Sequence, residues 1–93
     1  MAEIRLSRRA VKDLDALPKR TAARVLGVLE RLAEDPTSDR LDVKGLAGRR
    51  PWRRLRVGDY RILFKPVDRG RILLVARIID RKELDRAVAA LPE

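Results

Sequence analysis

The sequence predicts an α+β fold in which an N-terminal strand and a helical hairpin pack on one face of a small antiparallel sheet, with a C-terminal helix beyond it. Three observations lead there. Apolar residues recur at helical spacing from Val11 to Ala33 with one interruption at Pro18. Three strand-like runs follow between Trp52 and Ile79, separated by short Gly-containing turns. Leu84, Val88 and Leu91 then return to helical spacing. Helices and strands grouped in this way imply separate layers. With 93 residues the chain can build one modest core, so residues 1–93 are expected to form a single domain.

Taken in order, Ala2 to Leu6 reads as a short strand. Ser7 can then cap a helix carrying Val11, Leu14 and Leu17, which Pro18 ends. A second helix is predicted from Lys19 to Glu34, its stripe being Ala22, Val25, Leu26, Leu29, Leu32 and Ala33. Asp35-Pro36 stops it, because a residue before proline is pushed out of the helical region. Residues 36–51 read as a long loop with Pro36, Gly45, Gly48 and Pro51. The strands are Trp52 to Val57, Tyr60 to Pro66 and Arg71 to Ile79. Gly58-Asp59 suits a two-residue type II′ turn, and Asp68-Arg69-Gly70 a three-residue loop with glycine in the left-handed region. Lys82 to Leu91 closes the chain as a helix.

Residues 44–81 hold twelve of the 23 Lys and Arg but three of the 14 Asp and Glu, so this segment carries essentially the whole net charge of +9. A field concentrated in this way attracts a polyanion, either nucleic acid or an acidic protein. There is no cysteine and no histidine. Thiol chemistry, an imidazole base and the common Cys/His metal sites are therefore excluded, any proton transfer falls to Asp, Glu, Lys, Arg or Tyr, and no metal or cofactor is expected. No unbroken apolar run exceeds five residues, which fits neither a signal peptide nor a membrane span and makes the cytoplasm the expected location.

The turns set the expected pairing. A turn at Gly58-Asp59 puts Val57 opposite Tyr60, Arg56 opposite Arg61, Arg54 opposite Leu63 and Trp52 opposite Lys65. A loop at 68–70 would put Val67 opposite Arg71 and Arg61 opposite Arg77. Arg54, Arg56, Arg61, Lys65 and Arg77 would then share one face, with Arg81 just past the strand end. Leu55, Val57, Tyr60, Ile62, Phe64, Ile72, Leu74, Ala76 and Ile78 would form the core face. Leu63, Leu73, Val75 and Ile79 fall among the arginines and need a cover, which the Leu84/Val88/Leu91 stripe can supply. Arginines on a solvated face are common, but like charges directly opposite one another are destabilising, and a row of them makes sense where an anion sits. One Trp, one Tyr and one Phe leave few platforms for stacking bases.

The segment VKGLAGRRPWRRLRVGDYRILF, Val43 to Phe64, resembles the part of RelE/ParE-superfamily toxins where a basic-Gly turn leads into an aromatic-basic strand, a Gly-containing turn and a Tyr-Arg strand. VARIIDRKELDRAV, Val75 to Val88, resembles the family's last strand and C-terminal helix. The resemblance covers nearly the whole chain and is closer to the RelE-type mRNA interferases. It implies the RelE-like microbial-ribonuclease fold, metal-independent cleavage of mRNA on the ribosome, and inhibition by a small co-expressed antitoxin with an acidic segment. Arg61 matches the arginine that stabilises the scissile phosphate, and Arg81 the one that assists the leaving oxygen. Lys44, Arg54 and Arg56 match basic RNA-holding positions, and Arg77 a frequent arginine. Where relatives have His and Tyr, this chain has Asp80 and Asp85. Asp85 is the remaining candidate base, although arginines would depress its pKa. A ParE-like toxin that inhibits DNA gyrase without chemistry, and a weakened toxin that mainly binds its antitoxin, are the alternatives.

Overall fold

The structure is a computed structural model describing residues 1–92. The chain runs β1 (Glu3–Leu6), α1 (Arg8–Asp15), α2 (Lys19–Glu34), β2 (Val43–Gly45), β3 (Arg53–Val57), β4 (Tyr60–Val67), β5 (Ile72–Asp80) and α3 (Leu84–Ala89). The sheet order is β1-β5-β4-β3-β2. The expected antiparallel sheet is mixed, because β1 pairs parallel with β5, Ile4 opposite Leu73 and Leu6 opposite Val75. A long connection makes parallel pairing possible, and here both helices and three strands lie between the two partners.

Each helix begins and ends for a local reason. The Ser7 hydroxyl oxygen accepts from Ala10 N (3.1 Å) and donates its proton to Ala76 O (3.0 Å), so one side chain caps α1 and ties it to β5. Ser7→Ala should cost about 1 kcal/mol, a fall of about 6 °C in Tm readable by thermal denaturation. Helix α2 buries Val25, Val28, Leu29 and Leu32 against Leu55, Ile62, Phe64, Leu73, Val75 and Ile78. Two stripe expectations are corrected: Leu26 and Val11 are each 43% exposed. The buried arc of α2 is the i, i+3, i+4, i+7 set starting at Val25, which takes in Val28 and leaves Leu26 about a sixth of a turn outside it.

The other sheet face is apolar at one end, where Trp52, Leu63 and Ile79 are covered by Ala87 and Leu91, with Leu84 and Val88 beside them. The predicted helix over 82–91 is shorter, a 3-10 turn at Arg81–Glu83 followed by α3, because Asp80 Oδ1 accepts from Lys82 N (2.9 Å) and caps the turn. Arg49 donates to Val88 O (2.8 Å) and Leu91 O (2.6 Å), and Trp52 Nε1 donates to Pro92 O (3.0 Å). A cation and an indole thus hold the carbonyl end of a six-residue helix, where a positive charge is favoured.

The β4–β5 register differs from expectation twice. Asp68 and Arg69 join Gly70 at positive φ, and Arg71 is helical and completes the turn, so Val67 pairs with Ile72. A β-bulge then makes Ala76 the extra residue between the pairs Phe64–Val75 and Leu63–Arg77. As a result Leu73 and Val75 are buried with Phe64, while Ile72 and Leu74 are only half-buried and Ala76 packs toward α3. Arg61 stands opposite Ile79, not Arg77.

Candidate nucleic-acid interface

The β3–β4 hairpin has the predicted register: Arg56 opposite Arg61, Arg54 opposite Leu63 and Val57 opposite Tyr60. Gly58 has φ +57 and Asp59 does not share the positive sign, the order a type II′ turn requires. The predicted Trp52–Lys65 pair is not a ladder pair; Trp52 precedes β3, is 3% exposed, and has Lys65 Nζ 4.8 Å from its ring centroid. Lys65 is thereby drawn toward the covered end of the face.

Residues 36–51 are not all loop. The three-residue strand β2 places Lys44 opposite Arg54 and Val43 opposite Leu55. Side-chain alternation then gathers Lys44, Arg54, Arg56 and Arg61 on one face, with two like-charge pairs standing directly across from each other. Arg81 reaches the same end of the sheet, since its backbone N donates to Asp59 O (2.8 Å) in the β3–β4 turn. Lys44, Arg56 and Arg81 are exposed, and Arg61 is half-buried.

Arg61 Nη1 donates to Gly58 O and Tyr60 O, both at 3.0 Å. Two carbonyls therefore fix one edge of the guanidinium and leave Nη2 and Nε to meet a ligand. Burial first, and then the charges of Arg56, Arg54 and Arg81, hold its pKa below the ordinary arginine value, with Asp42 acting in the opposite direction. A guanidinium does not lose its proton in a protein, so this crowding expresses itself as affinity for an anion.

Arg77 is used differently. Its Nε and Nη2 donate to Asp13 Oδ2 (2.8 Å) and Oδ1 (3.3 Å), and Asp13 Oδ2 also accepts from Ile78 N (2.9 Å). This bidentate pair fastens α1 to the part of β5 beyond the end of β1. Asp85 lines an open groove of about 390 Å³ between the 46–49 loop and α3, with Leu46, Ala47, Arg49, Leu84, Val88 and Ala89. Among the described residues neither Asp80 nor Asp85 forms an ion pair within 4.0 Å. Sequence reasoning missed Asp42, whose Oδ1 accepts from Arg54 Nη1 at 3.2 Å; only the brief Val43-Lys44-Gly45 alternation hinted at a strand there.

A five-stranded α+β fold with a helical layer on one side and a cationic, partly covered face on the other defines a toxin of the RelE/ParE superfamily. The model of the ParE toxin of type II toxin–antitoxin systems matches residues 4–85, and the chain belongs to that family. Among solved structures it is similar to the RelB–RelE antitoxin–toxin complex from Methanococcus jannaschii, at 25% identity and a TM-score of 0.73 over 88% of this chain and 95% of that one. It is also similar to the RelE–RelB complex from Pyrococcus horikoshii OT3 (25% identity, TM-score 0.72, 86% of this chain and 94% of that one). The toxin–antitoxin complex RelBE2 from Mycobacterium tuberculosis is a third (28% identity, TM-score 0.70, 86% and 98%). No curated protein matches the sequence. Among the described residues no helix is long and apolar enough to cross a membrane.

Proposed function

We propose that this toxin arrests translation by cleaving mRNA on the ribosome without a metal, and that an antitoxin with an acidic segment neutralises it. The observation that carries this reading is the convergence of Lys44, Arg54, Arg56 and Arg61 on one face, with Arg81 at its end. The reaction is attack of a ribose 2′-oxygen on the adjacent phosphorus. The bond from phosphorus to the 5′-oxygen breaks, the proton leaves the 2′-hydroxyl, and the departing oxygen takes one up; the products are a 2′,3′-cyclic phosphate and a 5′-hydroxyl. Arg61, held by Gly58 O and Tyr60 O, stabilises the extra negative charge on the phosphoryl oxygens. Arg81 stabilises the leaving oxygen, and Lys44, Arg54 and Arg56 hold the flanking phosphates. Asp85 stands at the groove beside α3 as the candidate proton acceptor, and orientation with arginine electrostatics carries most of the rate.

Such a face predicts strong salt dependence. Four or five neutralised phosphates give a slope of about −3 for log K against log[salt], a loss of about 100-fold between about 50 and 200 mM salt, readable by titrating a labelled single-stranded oligonucleotide. The reading is tested by inducible expression with mapping of mRNA 5′ ends. Cleavage within translated codons supports it; intact mRNA in growth-arrested cells rejects it. Membership of the ParE family favours a second reading, inhibition of DNA gyrase by binding alone, which unchanged supercoiling by gyrase in the presence of purified toxin would reject.

A further inference from the structure

We propose that Asp42 is a positioning residue of the cationic face: its carboxylate holds the Arg54 guanidinium for use by RNA, while its charge weakens the grip of the whole face. The proposal rests on the RNA reading above. Asp42 directly precedes β2 and is built into the sheet, since its carbonyl accepts from Arg56 N at 2.9 Å. Its Oδ1 accepts from Arg54 Nη1 at 3.2 Å, and its carbonyl lies 3.5 Å from the same nitrogen. Among the described residues this is the one ion pair within the group Lys44, Arg54, Arg56, Arg61 and Arg81. Arg61 also feels it, as the opposing charge beside Arg56, Arg54 and Arg81.

A comparison with Arg77 brings out what the pair does. Arg77 spends Nε and Nη2 on Asp13, so its fork is consumed by the fold. Arg54 spends Nη1 alone, and among the described residues its Nη2 and Nε make no hydrogen bond. A phosphate can therefore take the open edge in two parallel bonds. Without the Asp42 carboxylate, Arg54 faces Lys44 directly across the ladder with only the distant backbone carbonyl of residue 42, 3.5 Å away, to hold it, and repulsion together with side-chain entropy turns it toward solvent. A carboxylate in an anion site lowers affinity, but here it keeps a guanidinium ordered before the RNA arrives.

Asp42→Asn keeps an oxygen acceptor for Arg54 and removes the charge; Asp42→Ala removes both. Each is titrated with a single-stranded RNA oligonucleotide and assayed for single-turnover cleavage on mRNA-programmed ribosomes, alone and in an Arg54→Ala background. Both variants should bind the oligonucleotide about threefold tighter at low salt, since one unit of like charge is added to the site. Asp42→Asn should keep the maximal rate, whereas Asp42→Ala should lose about tenfold in it and lose nothing further once Arg54 is alanine. In the free protein, the Arg54 Nε–Hε NMR resonance should collapse to the free-arginine position in Asp42→Ala only. A wild-type maximal rate in Asp42→Ala, equal losses in both variants, or additive losses with Arg54→Ala would each overturn the proposal. If the wild type cleaves no RNA, the RNA reading fails by itself, and the titration and the Arg54 resonance still decide whether Asp42 holds Arg54.

Discussion

Arg61→Ala is expected to lower RNA cleavage by about 10²–10³-fold, the effect of removing one preorganised donor from a developing oxyanion. The loss should appear in the maximal rate more than in half-saturation, because Lys44, Arg54 and Arg56 remain to hold the strand. The fold should not suffer. Arg61 stands opposite Arg56 and is crowded by Arg54 and Arg81, so removing it relieves like-charge repulsion and leaves Tm unchanged or slightly raised. A melting curve that stays in place while cleavage disappears is the signature. Arg61→Lys should recover only part of the rate, since an ammonium keeps the charge but cannot bond the Gly58 and Tyr60 carbonyls and a phosphate with one planar fork.

The largest effect on stability is expected at a residue outside the cationic face. Asp13 is 12% exposed at its side chain and serves three donors: Arg77 Nε, Arg77 Nη2 and Ile78 N. Asp13→Ala leaves a mostly buried guanidinium and a strand N–H without partners, at a cost of about 3 kcal/mol or roughly 15 °C in Tm for a chain of this size. The double variant Asp13→Ala/Arg77→Met should recover part of that loss, because an unpaired buried charge costs more than an apolar side chain of similar length. Chemical denaturation of the two variants and the wild type, compared at constant m-value, checks both statements.

Much of this architecture was legible in the residues, for identifiable reasons. Pro18 and the Asp35-Pro36 pair bracket α2, whose bounds are those expected, and Ser7 caps α1. The β3–β4 hairpin was legible because Gly58 fits the left-handed start of a type II′ turn and a two-residue turn leaves one register. The β4–β5 hairpin was not. Its loop takes in Arg71, and the bulge at Ala76 has no local sequence signature, so two shifts of one residue separate the expected ladder from the observed one. Those shifts restore the alternation at Arg77 but change its partner to Leu63, and Asp13, far away in sequence, then claims the guanidinium. Strand β2 escaped for another reason: an alternation of three residues is too short to establish a period, and the strand is held by bonds from Arg56 N to Asp42 O and from Leu46 N to Trp52 O. Lys44 could be aligned by resemblance, but its place opposite Arg54, and the presence of Asp42 beside it, belong to the tertiary structure.

The role proposed for the face built from Lys44, Arg54, Arg56, Arg61 and Arg81 is tested most directly by the chemistry of the RNA ends that the proposed cleavage would leave. Purified toxin is mixed with ribosomes carrying a defined mRNA, and the fragments are analysed for their terminal groups beside an Arg61→Ala control. Fragments ending in a 2′,3′-cyclic phosphate, paired with 5′-hydroxyl ends and absent from the control, are the predicted result. Intact mRNA at toxin concentrations that block gyrase supercoiling would contradict the account and assign the same cationic face to binding alone.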